Sequence, residues 1–143
     1  MSLLLPQPLS VSTPRPSLRS EAYWEGCRHH RLLYQRCAVC GYRGLAAFTV
    51  CAQCHRTSPG WVPSAGRGSL YSWTVVWRPP NPGLRVPYAP AIVHLDEGVW
   101  MLSAVIGCEP GDLHDGMRLS VEFHPASDEI TLPYFSPAEE GHS

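Results

Sequence analysis

Four cysteines stand in two Cys-x-x-Cys pairs, Cys37-Ala-Val-Cys40 and Cys51-Ala-Gln-Cys54, separated by ten residues. A thiolate is both a nucleophile and a metal ligand, so three chemistries compete for the quartet: a metal centre, a redox dithiol and a disulfide clamp. Two knuckles joined by a β-like connection place four thiolates where they can converge tetrahedrally on one ion, and the doubled motif is specific for that arrangement. A thioredoxin-type couple needs a single pair set before a helix in a βαβ unit, and no such unit is visible. Zinc is the expected occupant; iron in a rubredoxin-like site is the alternative that ligand geometry does not separate from it. Gly41 follows Cys40, where a positive φ lets backbone N–H groups aim at sulfur. His55 takes the same place after Cys54 and adopts that conformation less readily. Four sulfur ligands leave no open position for water, so the ion is read as structural rather than hydrolytic.

The other reactive side chains make a weaker case. Cys27 and Cys108 read as small packed hydrophobes rather than nucleophiles. His94 falls mid-strand with its ring held by a neighbour, and His114 and His124 lie beside turns. Asp112 and Asp115 fit a solvated loop better than a pair of catalytic carboxylates. None of these has a partner at catalytic spacing, so the chain is expected to hold no catalytic centre of its own.

The elements that position the cysteines follow from period and punctuation. Ser20 to His30 reads as a short helix, capped by Ser20, with Glu21 in its first turn and Arg28, His29 and His30 at the far end of the dipole. Its Tyr23, Trp24 and Cys27 share one apolar face. Leu32–Arg36 and Leu45–Val50 read as strands running into the two knuckles, and Trp61-Val-Pro-Ser as an edge strand. A segment of this size cannot bury enough apolar surface to fold unaided, which is the reason for a metal: ligation contributes on the order of 10–16 kcal/mol in comparable peptides.

Beyond the knuckles the signals are all β. Ser69 to Trp77 reads as the longest strand, with Leu70, Ser72, Thr74 and Val76 on one face and Tyr71, Trp73, Val75 and Trp77 on the other. Five prolines between Arg78 and Pro90 mark a long surface loop. Ala91–Leu95 and Val99–Ile106 flank Asp96-Glu97-Gly98, a hairpin signal. Met117–Phe123 and Ile130–Phe135 complete five short strands, which suggests a small Greek-key barrel of the OB type. The fold class is therefore mainly β: an N-terminal helix, a four-cysteine ribbon and a C-terminal five-stranded barrel. The expected division is a flexible Pro/Ser-rich tail over 1–19, helix and ribbon over 20–62, barrel over 63–137 and a flexible end over 138–143.

Composition narrows the function. The 143 residues include 11 Lys+Arg, all of them Arg, against 12 acidic residues, for a net charge of −1. The absence of lysine excludes a Schiff-base lysine and a phosphate-binding loop of the Gly-Lys-Ser/Thr type. No stretch approaches a membrane span and the first residues lack the cationic region of a signal peptide, so a cytoplasmic protein is expected.

In order along the chain stand Tyr23-Trp-Glu-Gly26, Leu32-Leu-Tyr-Gln-Arg-Cys37-x-x-Cys-Gly41, Cys51-x-x-Cys54, Gly66-Arg-Gly-Ser-Leu-Tyr-Ser-Trp-Thr-Val-Val76, Ala91-Ile-Val-His-Leu-Asp-Glu-Gly98, Leu102-Ser, Gly107-Cys-Glu-Pro and Gly116-Met. This series resembles a family of rubredoxin-like zinc-ribbon plus OB-fold proteins, long filed as a domain of unknown function and associated with acyl-CoA metabolism. The resemblance covers about 20–137. It implies an accessory role beside thiolase-superfamily enzymes: ketothiolases, related acyltransferases, HMG-CoA synthase assemblies and steroid side-chain aldolases, sometimes fused to a hydratase. The catalytic cysteine and histidines then belong to the partner, and acyl-CoA is a ligand shared with it. Aromatic and arginine side chains of the kind enriched at interface hot spots, Tyr23, Trp24, Trp77, Arg78, Arg85 and Tyr88, are the candidates for touching partner or CoA, whereas Trp73 and Trp100 are read as barrel filling. The rival reading is a nucleic-acid-binding ribbon and OB-fold, with aromatics stacking bases. Eleven arginines spread from Arg15 to Arg118 make a poor footprint for it. A free-standing acyl-CoA thioesterase is a third reading, which no acid/base or nucleophile set supports.

Overall fold

The computed structural model describes residues 3–8, 21–44, 54–55, 59–80 and 83–138. Helix α1 spans Glu21–Arg28 and buries Gly26 and Cys27. It closes in a Schellman turn: the Arg31 N–H donates to Gly26 O at 2.8 Å and the His30 N–H to Cys27 O at 3.0 Å. His30 occupies the left-handed position where glycine is usual, at φ 59°, and stacks its ring on Phe123 with centroids 5.3 Å apart. The predicted cap Ser20 and the predicted strand Leu45–Val50 lie outside the described residues.

Strands β1 (Leu33–Cys37), β2 (Arg43–Gly44) and β3 (Pro59–Pro63) form a three-stranded antiparallel sheet in the order β2-β1-β3. The edge strand expected near Trp61 is β3, paired with β1 through Leu33↔Pro63 to Cys37↔Pro59. Leu32 and Tyr34 turn into the same apolar cluster that fills the barrel, so the ribbon rests on the barrel through shared core.

The barrel consists of β4 (Arg67–Trp73), β5 (Ala89–Leu95), β6 (Trp100–Val105), β7 (Arg118–Pro125) and β8 (Thr131–Pro137), closed in the order β4-β5-β6-β8-β7. This is the predicted five-stranded arrangement. Inward residues of period two fill it: Leu70, Val93, Leu95, Val105, Leu119 and Phe135 are all essentially inaccessible. Gly68 lets β4 lie close to β5, because a Cβ there would sit 2.6 Å from the His94 carbonyl oxygen.

Four expectations are corrected. The strand expected over Ser69–Trp77 ends at Trp73, and its faces do not alternate as read, because the register with β5 shifts between Leu70↔Val93 and Ser72↔Ile92. Tyr71 is the extra residue of a bulge, so Ser72 faces out with it and Trp73 turns back toward the core. Trp100 does not fill the barrel; it is half exposed on the outer face. Residues 3–8, within the stretch read as a flexible tail, are docked: Leu4 is wholly buried, its N–H donates to Cys108 O at 2.8 Å, and the Gly107 N–H donates to Leu4 O at 2.9 Å. The proline-rich loop is also shorter than read, since Ala89 and Pro90 already belong to β5 and Val76 bridges Tyr88 across its neck.

Candidate functional site

The end of β1 delivers Cys37 into a tight turn. The Gly41 N–H donates to Cys37 O at 2.9 Å and the Cys37 N–H donates to Tyr42 O at 2.8 Å. Gly41 sits at φ 81° and His55 at φ 63°, so the residue after the second cysteine of each pair takes the left-handed conformation, histidine included. The sulfur atoms of Cys37, Cys40 and Cys54 lie within 4.8 Å of one another, with Cys37 Sγ and Cys54 Sγ 3.6 Å apart. A tetrahedral ion with metal–sulfur bonds near 2.3 Å requires ligands about 3.8 Å apart, whereas a disulfide requires about 2.05 Å. The Cys37 thiol is lowered to about 6 chiefly by the backbone N–H of Cys40, helped by the Val39 N–H and the Cys54 and Cys40 thiols against the opposing effect of burial. A sulfur held as thiolate at neutral pH is what ligation needs. The donor set and spacing therefore fit a thiophilic metal. Cys51, the fourth predicted ligand, lies outside the described residues.

The six candidates for partner or CoA contact divide. Tyr23, Trp24 and Tyr88 meet at one cavity of about 290 Å³, lined also by Leu5 and Gln7, by residues 101–105 of β6 with Ile106 after it, and by residues 132–134 of β8. Tyr23 and Trp24 pack edge to face with centroids 4.9 Å apart. Arg85 is not a free anchor: its guanidinium donates to Pro6 O at 2.6 Å, and its main chain exchanges hydrogen bonds with the Gln7 side chain at 2.7 and 3.0 Å. Trp77 and Arg78 stand exposed just past the Val76–Tyr88 bridge and join neither group.

Cys27 is wholly buried beside Tyr23. Burial pushes its thiol up to about 12, only partly offset by the hydrogen bond from Tyr23, and burial likewise drives the Tyr23 phenol above its ordinary range. Both stay neutral, as packed groups and not nucleophiles. Burial also raises Cys108. Asp112 faces solvent and accepts the Glu109 N–H at 3.1 Å, so it serves its turn.

An outward aromatic cluster escaped the sequence reading. His94 stacks on Trp100 with centroids 4.1 Å apart, and Tyr71 meets Trp100 edge on at 4.6 Å. Ile92 and Leu102 continue the row as a cross-strand pair, both exposed. The signal was present: His94 and Trp100 lie equally far from the hairpin centre at Glu97, which makes them cross-strand neighbours.

The hairpin also ties ribbon to barrel. Glu97 accepts from the Ser64 hydroxyl and the Ala65 N–H, both at 2.8 Å, and its carbonyl accepts from the Arg43 guanidinium at 2.8 Å.

A thiol-bearing ribbon set on a closed OB barrel defines the class. Residues 61–124 match the family model described as ChsH2, C-terminal OB-fold domain. Two hydratase subunits are similar: the probable enoyl-CoA hydratase alpha subunit of Thermomonospora curvata, 35% identical over 127 residues, and the 3-oxo-4,17-pregnadiene-20-carboxyl-CoA hydratase alpha subunit of Mycobacterium tuberculosis, 34% over 116. The matches cover 87% and 81% of this chain but only 40% and 37% of those longer proteins. A DUF35 domain-containing scaffold protein of Methanocaldococcus jannaschii is 29% identical over 116 residues, 76% of this chain and 82% of that one. The solved structure titled Ltp2-ChsH2(DUF35) aldolase superposes with a TM-score of 0.83 at 31% identity, covering 89% of this chain and 100% of that chain. The chain belongs to the DUF35/ChsH2 family.

Proposed function

We propose that this chain is a non-catalytic accessory subunit of a thiolase-superfamily enzyme, of aldolase, ketothiolase or acyltransferase type, that acts on acyl-CoA in the cytoplasm. The observation that carries the reading is the likeness over the full length of a chain solved as part of an aldolase assembly. The relatives named as a scaffold and as subunits handling CoA thioesters, one of them a steroid-derived thioester, support the same reading. In it the chain supplies interface, stability and part of the acyl-CoA route, and the reacting groups sit in the partner. Helix and ribbon (20–62) and barrel (63–137) act as its two parts. Cys37, Cys40, Cys54 and Cys51 hold zinc, with iron the alternative occupant. When bound, the ion crosslinks the ribbon and supplies no reaction chemistry. Tyr23, Trp24 and Tyr88 around the cavity, with exposed Trp77 and Arg78, are the proposed contacts with partner or CoA, and Arg85 contributes by holding the N-terminal segment.

The Tyr71–His94–Trp100 cluster lies on an OB sheet face, which by itself also suits base stacking. The net charge of −1 offers no phosphate-tracking field. Affinity purification of the full chain from its native host separates the readings. A thiolase-like or aldolase protein retained in stoichiometric amount through a salt wash, with carbon–carbon bond activity in the eluate, is the expected result. Recovery of salt-sensitive RNA or DNA in place of such a protein would refute it.

A further inference from the structure

Three parts of the fold meet around the 290 Å³ cavity: α1 brings Tyr23 and Trp24, the N-terminal segment brings Leu5 and Gln7, and the barrel wall brings Ala104 of β6 and Leu132 of β8. Its surface is chiefly apolar. Polar side chains that line it are bonded to main chain. The Gln7 amide donates to Arg85 O at 3.0 Å and accepts the Arg85 N–H at 2.7 Å, the Ser103 hydroxyl donates to Pro133 O at 3.1 Å, and the Tyr134 phenol accepts the Gln7 N–H at 3.1 Å. These bonds also fix the wall that the N-terminal segment supplies, together with Leu4, which is wholly buried and bonded to Gly107 and Cys108. The chamber is thus shaped in advance by tertiary structure, as small-molecule sites usually are.

Size decides what such a chamber takes. At about 30 Å³ for a water-sized group, 290 Å³ holds about ten of them, the room that an aliphatic chain of medium length needs. The adenosine and phosphates of CoA are too large and too polar for it, and the fused-ring body of a steroid is too large. Charge decides how the occupant lies. Pro6 stands between the lining residues Leu5 and Gln7, and its carbonyl accepts from the Arg85 guanidinium at 2.6 Å. A cation is thereby fixed at the wall. Arg85 is exposed, and a guanidinium carries five N–H donors, so an anionic head group in the solvent can meet it there. An apolar chamber beside an exposed guanidinium suits an amphiphile with its tail inside and its anionic head outside.

We infer that the cavity is an acyl-chain site: it takes the aliphatic tail of an acyl-CoA, up to about ten carbons, and leaves the thioester and the CoA phosphates outside on the side of Arg85. The inference rests on the accessory-subunit reading and deepens it, naming the part of the thioester that this chain holds and the length of tail it accepts. With the thioester carbonyl outside the chamber, the reacting carbon stays within reach of the partner.

The test titrates the full chain, alone and in complex with the separately purified thiolase-like or aldolase subunit of the same host, with saturated acyl-CoAs from acetyl to palmitoyl. Binding is read by calorimetry and by tryptophan fluorescence, because Trp24 lines the cavity. Affinity should climb by up to about fourfold per methylene and level off near ten carbons. Trp24→Phe should remove the fluorescence change and keep the heat. Ala104→Leu fills the chamber and should weaken decanoyl-CoA by at least about tenfold while circular dichroism and metal content stay unchanged. If that variant does not fold, Leu5→Trp, on the exposed N-terminal segment, makes the same test. Affinity that ignores chain length, or that both filling variants leave at the wild-type value, overturns the site; a partner still retained by the chain then leaves the accessory reading standing. Neither acyl-CoA binding nor a retained partner overturns both. Free decanoate bound as tightly as decanoyl-CoA assigns the chamber to fatty acids, and chain-length dependence that disappears when the partner is added assigns it to a side chain of the partner; either result overturns the inference.

Discussion

Leu4→Ala tests whether the N-terminal segment is part of the barrel. Leu4 is wholly buried in the cluster that contains Leu119 and Phe135. Truncating a buried leucine to alanine costs about 2–5 kcal/mol, the value depending on how far the site can collapse. Leu4 lies in no barrel strand and is tied to the barrel by two backbone bonds, to Cys108 O and from the Gly107 N–H, so its segment can shift to relieve a cavity where a mid-strand residue cannot. The expected cost is therefore at the low end, about 2 kcal/mol, or roughly 5–10 °C in melting temperature for a domain of this size. Urea unfolding should show the midpoint falling with little change in slope. Exchange adds a sharper readout: the Gly107 amide, bonded to Leu4 O, should exchange faster, while the neighbouring Ile106 amide, bonded to Phe135 O, stays protected. A stability change under about 0.5 kcal/mol, within the range of ordinary surface substitutions, together with unaltered Gly107 exchange, would refute docking of residues 3–8.

Cys40→Ser should abolish bound zinc or iron as measured by elemental analysis and loosen the ribbon while the barrel keeps its cooperative transition; wild-type metal content would contradict the ligand assignment. Asp96 accepts both guanidinium N–H groups of Arg118, at 3.0 and 2.8 Å, and that pairing lowers its carboxyl below the ordinary range. The folded value is depressed, so the stabilisation is present above the unfolded value of about 3.9 and lost as pH falls through the folded one. Asp96→Asn should thus cost up to about 1 kcal/mol at pH 7, small because the pair is solvent-exposed, and the gap to wild type should close toward pH 2; a gap constant with pH would exclude the ion pair as its source. Gly68→Ala forces a Cβ to 2.6 Å from the His94 carbonyl, a backbone atom held in the β4–β5 ladder, so about 1–3 kcal/mol of destabilisation is expected in chemical unfolding, and neutrality would mean the two strands can part without loss.

The sequence was legible where one rule acted alone. Strands β5 to β8 and the hairpin at Glu97 follow from period two and a turn signal, and the thiol cluster from doubled spacing. Legibility failed where a distant partner or an inserted residue decided the matter. A bulge at Tyr71 reverses the faces after it without leaving a compositional mark, and so hid the outward cluster with Trp100. Leu4 has no periodic neighbours because its partners are Gly107 and Cys108, about a hundred residues on. Arg85 has the composition of an interface anchor, yet Pro6 and Gln7 claim it, a pairing no local rule contains. Tyr23, Trp24 and Tyr88 were chosen as apolar anchors from separate elements; that they face one cavity depends on how α1 packs against the β6–β8 side, which only the tertiary fold decides.

These features lie in series rather than scattered. Cys37 ends the strand whose Tyr34 and Leu32 enter the barrel core, and Arg43 of the adjoining strand grips the Glu97 carbonyl. Glu97 is the tip of the hairpin from which β6 departs, and β6 runs from there past Trp100 to exposed Leu102. The thiol cluster therefore bears on the outer face of the barrel through one hairpin, with the Glu97 carboxylate fixing that hairpin to Ser64 and Ala65 at the start of the barrel segment. A rigid ribbon orients the root of β6, while the six-position ladder with β5 holds the strand itself whether or not the ribbon is ordered. Loss of metal should on this account alter how the exposed face is presented before it alters whether the barrel folds, the division of labour expected where one part of a chain holds shape and another meets a partner.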